Sequence, residues 1–373
     1  MNFKVDGKTF QQQLQAVSKV INSKNTITIL DNFLLRVEGD RLSITGSDQE
    51  NVLTAYMEVS ESTGDGIIAL PARRLLEITK EIDNQPLEFK INEENLQVDL
   101  RFLNGHFAFM GVDGNDYPLP SVHEGEVVEL LLPAEVMQKG INNTFYAVAS
   151  EMTRPVMAGI FCDIHPDDVT FVSSDTHKLV RYINKEKSPG MEANFILPSK
   201  SAMILKSLIG KDDADIKISF DEKGGVFEVG DYVLSSLFIH GRYPNYNRVI
   251  PEDNPFELTV DRASLINALR RVTLFASKAS NLVVLGIDHD GIHLSAQDLD
   301  YGTSAEELVT CSYEGNPMTI GFNGVFMIEI LSNIPDDTVL FRLSDPARPA
   351  LCSPLTQKEG EDLVIIQMPM QVL

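Results

Sequence analysis

Six times along this chain, a short alternation of apolar and polar residues ends at Asp, Asn or Pro and passes into apolar positions spaced three and four apart. One set is FKVDGKTFQQQLQAVSKVI (3–21), VELLLPAEVMQKGI (128–141) and FELTVDRASLINALRRV (256–272). The other is GIIALPARRLLEITKEI (66–82), ANFILPSKSAMILKSLI (193–209) and NPMTIGFNGVFMIEILSNI (316–334). Alternation with period two reads as a half-buried strand. The stripes Phe10, Leu14, Val17, Ile21 and Leu265, Leu269, Val272 read as amphipathic helices. Asp6, Asp261 and Asn323 stand where a side chain caps the orphan N–H groups of a helix. Pro71, Pro133 and Pro198 stand where the first helical turn tolerates a missing N–H.

A second pattern repeats with the same period. LSITGSDQENVLTAY (42–56), VTFVSSDTHKLVRY (169–182) and IHLSAQDLDYGTSAEE (292–307) each run as a strand into an aspartate and then out as a strand again. Asp48, Asp175 and Asp298 are 127 and 123 residues apart. GNDYPLP (114–120) and GRYPNYNRVIP (241–251) close the first two periods. A period this long means repeated structural units. The expected domains are 1–124, 125–253 and 254–373, with linkers near 121–126 and 251–255. Each holds about eight short strands and two helices, an α+β architecture in which helices cover antiparallel sheet.

The 373 residues suit two or three domains, and no stretch approaches the roughly 20 apolar residues of a membrane span. No basic-then-apolar leader precedes Phe3, and Cys162, Cys311 and Cys352 form no CxxC pair. Both features point to the cytoplasm, with no zinc site. Net charge is −23, which by itself argues against a polyanion partner. The charge is segregated, however. Lys8, Lys19 and Lys24, Lys200, Lys206 and Lys211, and Arg262, Arg270, Arg271 and Lys278 lie in helix regions. The six helix regions together carry +10, leaving −33 elsewhere. If they share a surface, it is a basic track on an acidic body. Ordinary solvated helix faces are the other reading, and charge alone leaves both open.

No phosphate loop, dinucleotide fingerprint, zinc-protease motif or nucleophile elbow occurs, and the seven histidines show no ligand spacing. Asp175 and His177 could orient a base, but no Ser or Cys nucleophile pairs with them, and Asp48 and Asp298 recur without a histidine. A structural aspartate at a strand end is the simpler reading. The Asp-Asp pairs 167–168, 212–213 and 336–337 read as turn caps. The segment EDLVIIQMPMQVL stays apolar to its last residue, so it is either docked as a strand or presented to a partner.

SSDTHKLV, HGRYPNYNRVIP and the late MPM carry a resemblance that runs essentially end to end: the chain resembles the bacterial sliding clamps, the β subunits of the replicative DNA polymerase III. The resemblance implies three similar domains per chain and a head-to-tail homodimer. It implies a ring around duplex DNA, with helices inside and antiparallel sheets outside. The implied role is a processivity factor, without catalysis or cofactor, that tethers polymerase, clamp loader and repair proteins. It places a peptide pocket at Met157, Thr176, His177, Lys178, Leu179, Pro244, Arg248, Val249, Pro349, Ile366, Met368, Pro369 and Met370. Thr176 departs from a frequent Gly, Lys178 from a frequent Arg, and Gln371 from a basic residue. The charge pattern nominates Lys24, Arg73, Arg154, Lys200, Arg270 and Arg271 as DNA-facing. HFAFMG alternates, with Phe107 and Phe109 on one face, and Leu274 and Phe275 end a basic helix. These four residues are the expected dimer contact; the alternative is that each pair packs within its own domain. The competing function is a repeat-built enzyme or acidic ligand-binding protein that uses the His177 loop.

Overall fold

The computed structural model describes residues 1–82, 84–150, 153–210 and 214–372. The first third contains β1 (Asn2–Asp6), α1 (Gly7–Ser18), β2 (Asn32–Glu38), β3 (Arg41–Ser47), β4 (Asn51–Glu58), β5 (Glu61–Thr63), β6 (Gly66–Pro71), α2 (Ala72–Lys80), β7 (Pro86–Ile91), β8 (Gln97–Phe102), β9 (Gly105–Met110) and β10 (Val112–Asp113). The central third follows with β11 (Val128–Pro133), α3 (Ala134–Thr144), β12 (Gly159–Ile164), β13 (Val169–Ser174), β14 (Lys178–Asn184), β15 (Ala193–Pro198), α4 (Ser199–Leu208), β16 (Asp215–Phe220), β17 (Gly224–Val229) and β18 (Tyr232–Leu237). The last third has β19 (Phe256–Asp261), α5 (Arg262–Thr273), β20 (Leu282–Asp288), β21 (Gly291–Asp298), β22 (Thr303–Val309), β23 (Cys311–Glu314), β24 (Met318–Asn323), α6 (Gly324–Ser332), β25 (Thr338–Leu343), β26 (Ala350–Pro354) and β27 (Glu361–Gln367). All six strand-to-helix copies are present.

By contact density the chain forms two compact units: Met1–Glu135 with Lys200–Phe238, and Val136–Ser199 with Ile239–Leu373. The central third is divided because its sheets belong to different neighbours. In the first unit, β4 pairs antiparallel with β18, which joins β10-β6-β2-β3-β4 to β18-β17-β16-β11. In the second, β14 pairs with β27 and joins β15-β12-β13-β14 to β27-β26-β25-β19-β23. Each result is a nine-stranded sheet. A five-stranded sheet, β5-β1-β7-β8-β9, completes the first unit, and a four-stranded one, β22-β21-β20-β24, completes the second.

The apolar stripe of α1 packs as its spacing requires. Phe10 and Leu14 are fully buried, and Phe10 meets Phe89 edge-on at 5.3 Å while Phe3 stacks on Phe89 at 4.8 Å. The caps are those expected: Asp6 accepts from Thr9 N, Asp261 from Ser264 N, and Asn323 from Val325 N and Phe326 N. The prolines are placed differently. Pro71, Pro133 and Pro198 end their strands, and the helices begin one residue later. Pro71 takes φ −57° and ψ 109°, because a fixed φ near −65° suits an extended residue as well as a helical one.

The repeated aspartates are one device used three times. Asp48 Oδ1 accepts from Glu50 N and Asn51 N, Asp175 Oδ1 from His177 N and Lys178 N, and Asp298 Oδ1 from Asp300 N and Tyr301 N. Each closes the hairpin that leads into β4, β14 or β22. Asp168 Oδ1 accepts from Thr170 Oγ1 and Asp336 Oδ1 from Thr338 N within turns, while Asp336 Oδ2 accepts from Thr356 N twenty residues on; the pair 212–213 lies outside the described residues. The two expected linkers are tied down by buried side chains. Asn254 donates to the carbonyls of Arg342 and Pro349, at 2.9 and 3.0 Å. Asp221 accepts from Glu124 N and Gly125 N through Oδ2 and from Lys223 N and Gly224 N through Oδ1.

Burial works to raise the Asp221 pKa, but these four main-chain donors outweigh it and hold the carboxyl well below the usual carboxylate range. A folded-state pKa below the unfolded value contributes stability that is present above the unfolded pKa, near 4, and is lost as pH falls through the folded value. Asp221→Asn is therefore expected to cost about 1–3 kcal/mol at pH 7. Urea denaturation from pH 7 down to pH 3 should show the gap to wild type narrowing below about pH 4. A gap independent of pH would contradict this role.

Candidate functional site

The Asp175–His177 turn joins β13 to β14. Thr176 sits at φ +77°, the left-handed region that costs a β-branched residue most, and Gln49 occupies the same turn position at φ +80°. Ser174 Oγ stabilises the turn from inside, donating to Lys178 O and accepting from Thr176 N. Asp175 bonds the main-chain N–H of His177, and its Oδ2 lies 2.5 Å from Lys178 Nζ. The His177 ring instead lies against Phe326 of α6 at 5.4 Å. Lys178 is buried, reaches Glu329 at 3.0 Å and sits 4.5 Å over the Phe326 ring. The aspartate is occupied by turn closure and by the lysine, so the geometry favours a shaped loop over an acid–base pair.

Beneath this turn is an apolar floor. Leu179 and Ile366 lie directly opposite each other in the β14–β27 ladder, and both are buried with Val172, Ile196, Tyr243 and Tyr246. Phe161 stacks on Tyr243 at 4.8 Å, and Val156, Ile250 and Leu351 pack at the edge. The other nominated residues lie on segments that lead into this cluster. Pro244 lies between the two tyrosines, and the exposed Arg248 and Val249 follow them. Buried Met157 follows Val156, and half-buried Pro349 precedes Ala350. The segment after β27 is tied by its main chain: Met368 N donates to His177 O and Met370 N to Gly321 O. Pro369, which has no N–H to give, lies between them. Docking and presentation are thus combined, since Met368 remains 39% exposed. A cavity of about 540 Å³ borders Pro369 and Met370 on the side of Gly321 and Pro346. Sequence reasoning missed Tyr243, Tyr246 and Phe326. The spacing of the two tyrosines around Pro244 was the available signal.

Of the nominated cations, Lys24, Arg154 and Arg270 are exposed. Arg73 is exposed and pairs with Glu77 one turn on, at 3.1 Å. Lys200 is engaged: its Nζ donates to Val20 O at 2.6 Å, Asn22 Oδ1 at 2.7 Å and Asp48 Oδ2 at 2.5 Å. Arg271 forks onto Glu307 of β22. Lys211, and Glu151 beside Arg154, lie outside the described residues.

The two apolar pairs also separate. Phe109 is buried within the single chain. Phe107 is 39% exposed and stacks on Phe102 at 5.2 Å. Leu274 is 71% exposed and Phe275 40%. Leu274 occupies the C-cap of α5, the place that Lys19 takes in α1. β22, the strand expected to run out from Asp298, was not nominated for the dimer contact; it has β21 as its sheet neighbour on one side and nothing paired on the other among the described residues.

Comparison with known proteins follows this architecture. Family models described as the N-terminal, central and C-terminal domains of the DNA polymerase III beta subunit match residues 1–121, 131–245 and 247–371. The beta sliding clamp of Pseudomonas aeruginosa is 26% identical over 375 residues, covering 100% of both chains. That of Staphylococcus epidermidis is 27% identical over 377 residues, covering 98% of each. The crystal structure of the Pseudomonas aeruginosa clamp bound to griselimycin superposes with a TM-score of 0.93 at 25% identity over 100% of both chains. The Bartonella birtlesii clamp with the same compound gives 0.91 at 26%, again over 100% of both chains. With matching models over all three thirds, the chain belongs to the DNA polymerase III β subunit family, the sliding clamps, which act as processivity factors and not as enzymes.

Proposed function

We propose that two copies of this chain close head to tail into a ring around duplex DNA in the cytoplasm, and tether the polymerase and its partners through the Leu179–Ile366 pocket. The domains 1–124, 125–253 and 254–373 are its repeating units. One observation carries the closure. The strand after each turn aspartate pairs with the third strand of a post-helix meander: β4 with β18, and β14 with β27. The remaining strands of these two kinds are β22, which follows Asp298, and β9, which ends β7-β8-β9. Among the described residues both have one edge unpaired, and a long free edge invites another chain. Pairing β22 of one copy with β9 of the next repeats the same junction in trans, and two such contacts close a dimer.

The repeat also supplies a register. Asn51 and Lys178 stand opposite their turn aspartates and pair with Ser236 and Gln367. The residue opposite Asp298 is Thr303. Ser236 lies four residues past Tyr232, the first residue after the tight β17–β18 turn, and Gly105 holds that place after β8. Phe109 is therefore the counterpart of Ser236. Thr303 then faces Phe109, Ser304 faces Ala108, and Ala305 faces Phe107. This register sets Phe107 against the half-buried Ala305, whereas a one-residue slip would turn it to the exposed face of β22. Leu274 and Phe275 end the helix that packs on β22, where they would cover this seam. Burying them supplies roughly 1.5–3 kcal/mol each.

Lys24, Arg73, Arg154 and Arg270 are the proposed phosphate contacts, weak and indifferent to sequence. Lys200 and Arg271 join them only by leaving Asp48 and Glu307, so they rank behind the exposed four. In the pocket, Leu179 and Ile366 form the floor, with Met368, Val249 and Pro244 at its rim. His177 and Arg248 fix the direction of an inserted peptide, and the buried Lys178 holds the turn beneath them against Glu329 and Phe326. Met157, Thr176, Pro349, Pro369 and Met370 hold the surrounding chain.

Two measurements check these assignments. A Ser304→Cys/Ala108→Cys protein should oxidise to a covalent dimer, whereas Glu306→Cys/Ala108→Cys, two residues out of register, should cross-link poorly. Equal yields, or none from the first pair, would sink the register. Separately, Met368→Ala should weaken binding of a glutamine-containing apolar peptide several-fold from a wild-type Kd no tighter than about 1 μM, with the dimer mass unchanged. Unaltered binding would remove Met368 from the pocket.

A further inference from the structure

A recess of about 930 Å³ opens in the first unit, lined by none of the residues assigned to the peptide pocket, the phosphate contacts or the dimer seam. Its lining includes Asp6, Gln13, Asp40, Arg41, Tyr56, Glu58 and Asp231. Three of its carboxylates, Asp40, Glu58 and Asp231, form no ion pair among the described residues. Asp6 Oδ1 is occupied by the α1 cap. The Arg41 guanidinium lies over the Tyr56 ring, 3.8 Å from its centroid. The main chain that carries these groups is fixed, since Asp40 O accepts from Val59 N and Asp231 O from Tyr56 N, each at 2.9 Å.

Gln13 is the second, independent feature. It lies on the inner face of α1 with Phe10, Leu14 and Val17, is only 6% exposed, and lines the recess. Its Oε1 is buried without a hydrogen-bond partner. An unpaired buried carbonyl is costly, and a donor entering through the recess that Gln13 lines would satisfy it. The matching position in α5 is Ala268, buried and apolar, so the repeat does not need a glutamine here. Acceptors and carboxylates thus converge on one cleft, with the Arg41–Tyr56 pair at its edge. Among the described residues no three His, Cys, Asp or Glu side chains are grouped to hold a metal ion, and the recess is far larger than one. Its size falls within the range of small-molecule sites.

We propose that this recess binds an extended organic polycation, with ammonium groups seated among Asp40, Glu58 and Asp231 and one N–H donated to Gln13 Oε1. The cation is either a free polyamine or a lysine-bearing segment of a protein partner. Calorimetric titration of the full chain at low salt, with spermidine in one arm and a hexalysine peptide in the other, distinguishes the two sources. Saturable binding of either supports the site, and the arm that binds names the source. The Glu58→Gln/Asp231→Asn protein should lose roughly tenfold in affinity. The charge-matched Asp300→Asn/Glu359→Gln protein, altered at exposed carboxylates outside the recess, should lose less than about twofold. Gln13→Leu should bind several-fold more weakly while melting no lower than wild type, because it removes an unsatisfied group. Absence of binding in both arms would overturn the proposal. So would equal losses in the two double variants, which would mean attraction to the net charge of −23 alone.

Discussion

A strand with one neighbour leaves half of its main-chain donors and acceptors unmatched, and this structure is organised around where those groups go. Each third builds two sheets that end in an open edge. At two places the edges meet within the chain, β4 on β18 and β14 on β27, and nine-stranded sheets result. What remains is one open edge of each kind, β9 and β22. A repeat that joins its units by sheet extension cannot satisfy its terminal edges alone. It needs a cap or another copy, and the proposed ring is the solution without a cap.

The turn aspartates set how those junctions are made. By closing the hairpin just before the joining strand, each fixes where that strand begins and hence its register. The two internal junctions then bring their cations from different elements. Lys200 of α4 reaches Asp48 at the first, and Lys178 of β14 reaches Asp175 at the second. That exchange matters for function. At the first junction the lysine is drawn away from the helix surface where DNA contacts were expected. At the second it locks the His177 turn against Phe326 and Glu329, so the pocket rim is held by the same bonds that hold the sheet together.

Much of this was legible in the sequence because it is local. The change from period two to period 3.6 marked all six helices, and Asp6, Asp261 and Asn323 announced their own caps. Pro71, Pro133 and Pro198 were misplaced by one residue, because one fixed φ serves both sides of a strand–helix border. Long-range pairing was not legible. Nothing near Lys200 reveals that Asp48, 152 positions away, neutralises it. Alternation put Phe107 and Phe109 on one face, but only the packed strand separates the exposed ring from the buried one. The pocket came from resemblance to the family, and its tyrosine floor and Phe326 wall emerged only with the β14–β27 ladder and α6 in place.

The central claim is topological: DNA is held because the protein is closed around it, and only weakly by contact. The direct measurement loads the protein onto a nicked circular plasmid with a clamp loader, linearises half of the sample at a single site, and follows the retained protein by gel filtration at moderate salt. The account predicts that protein stays on the circle and leaves the linear form, since nothing but the free end has changed. Equal retention on both, or equal loss from both, would contradict it.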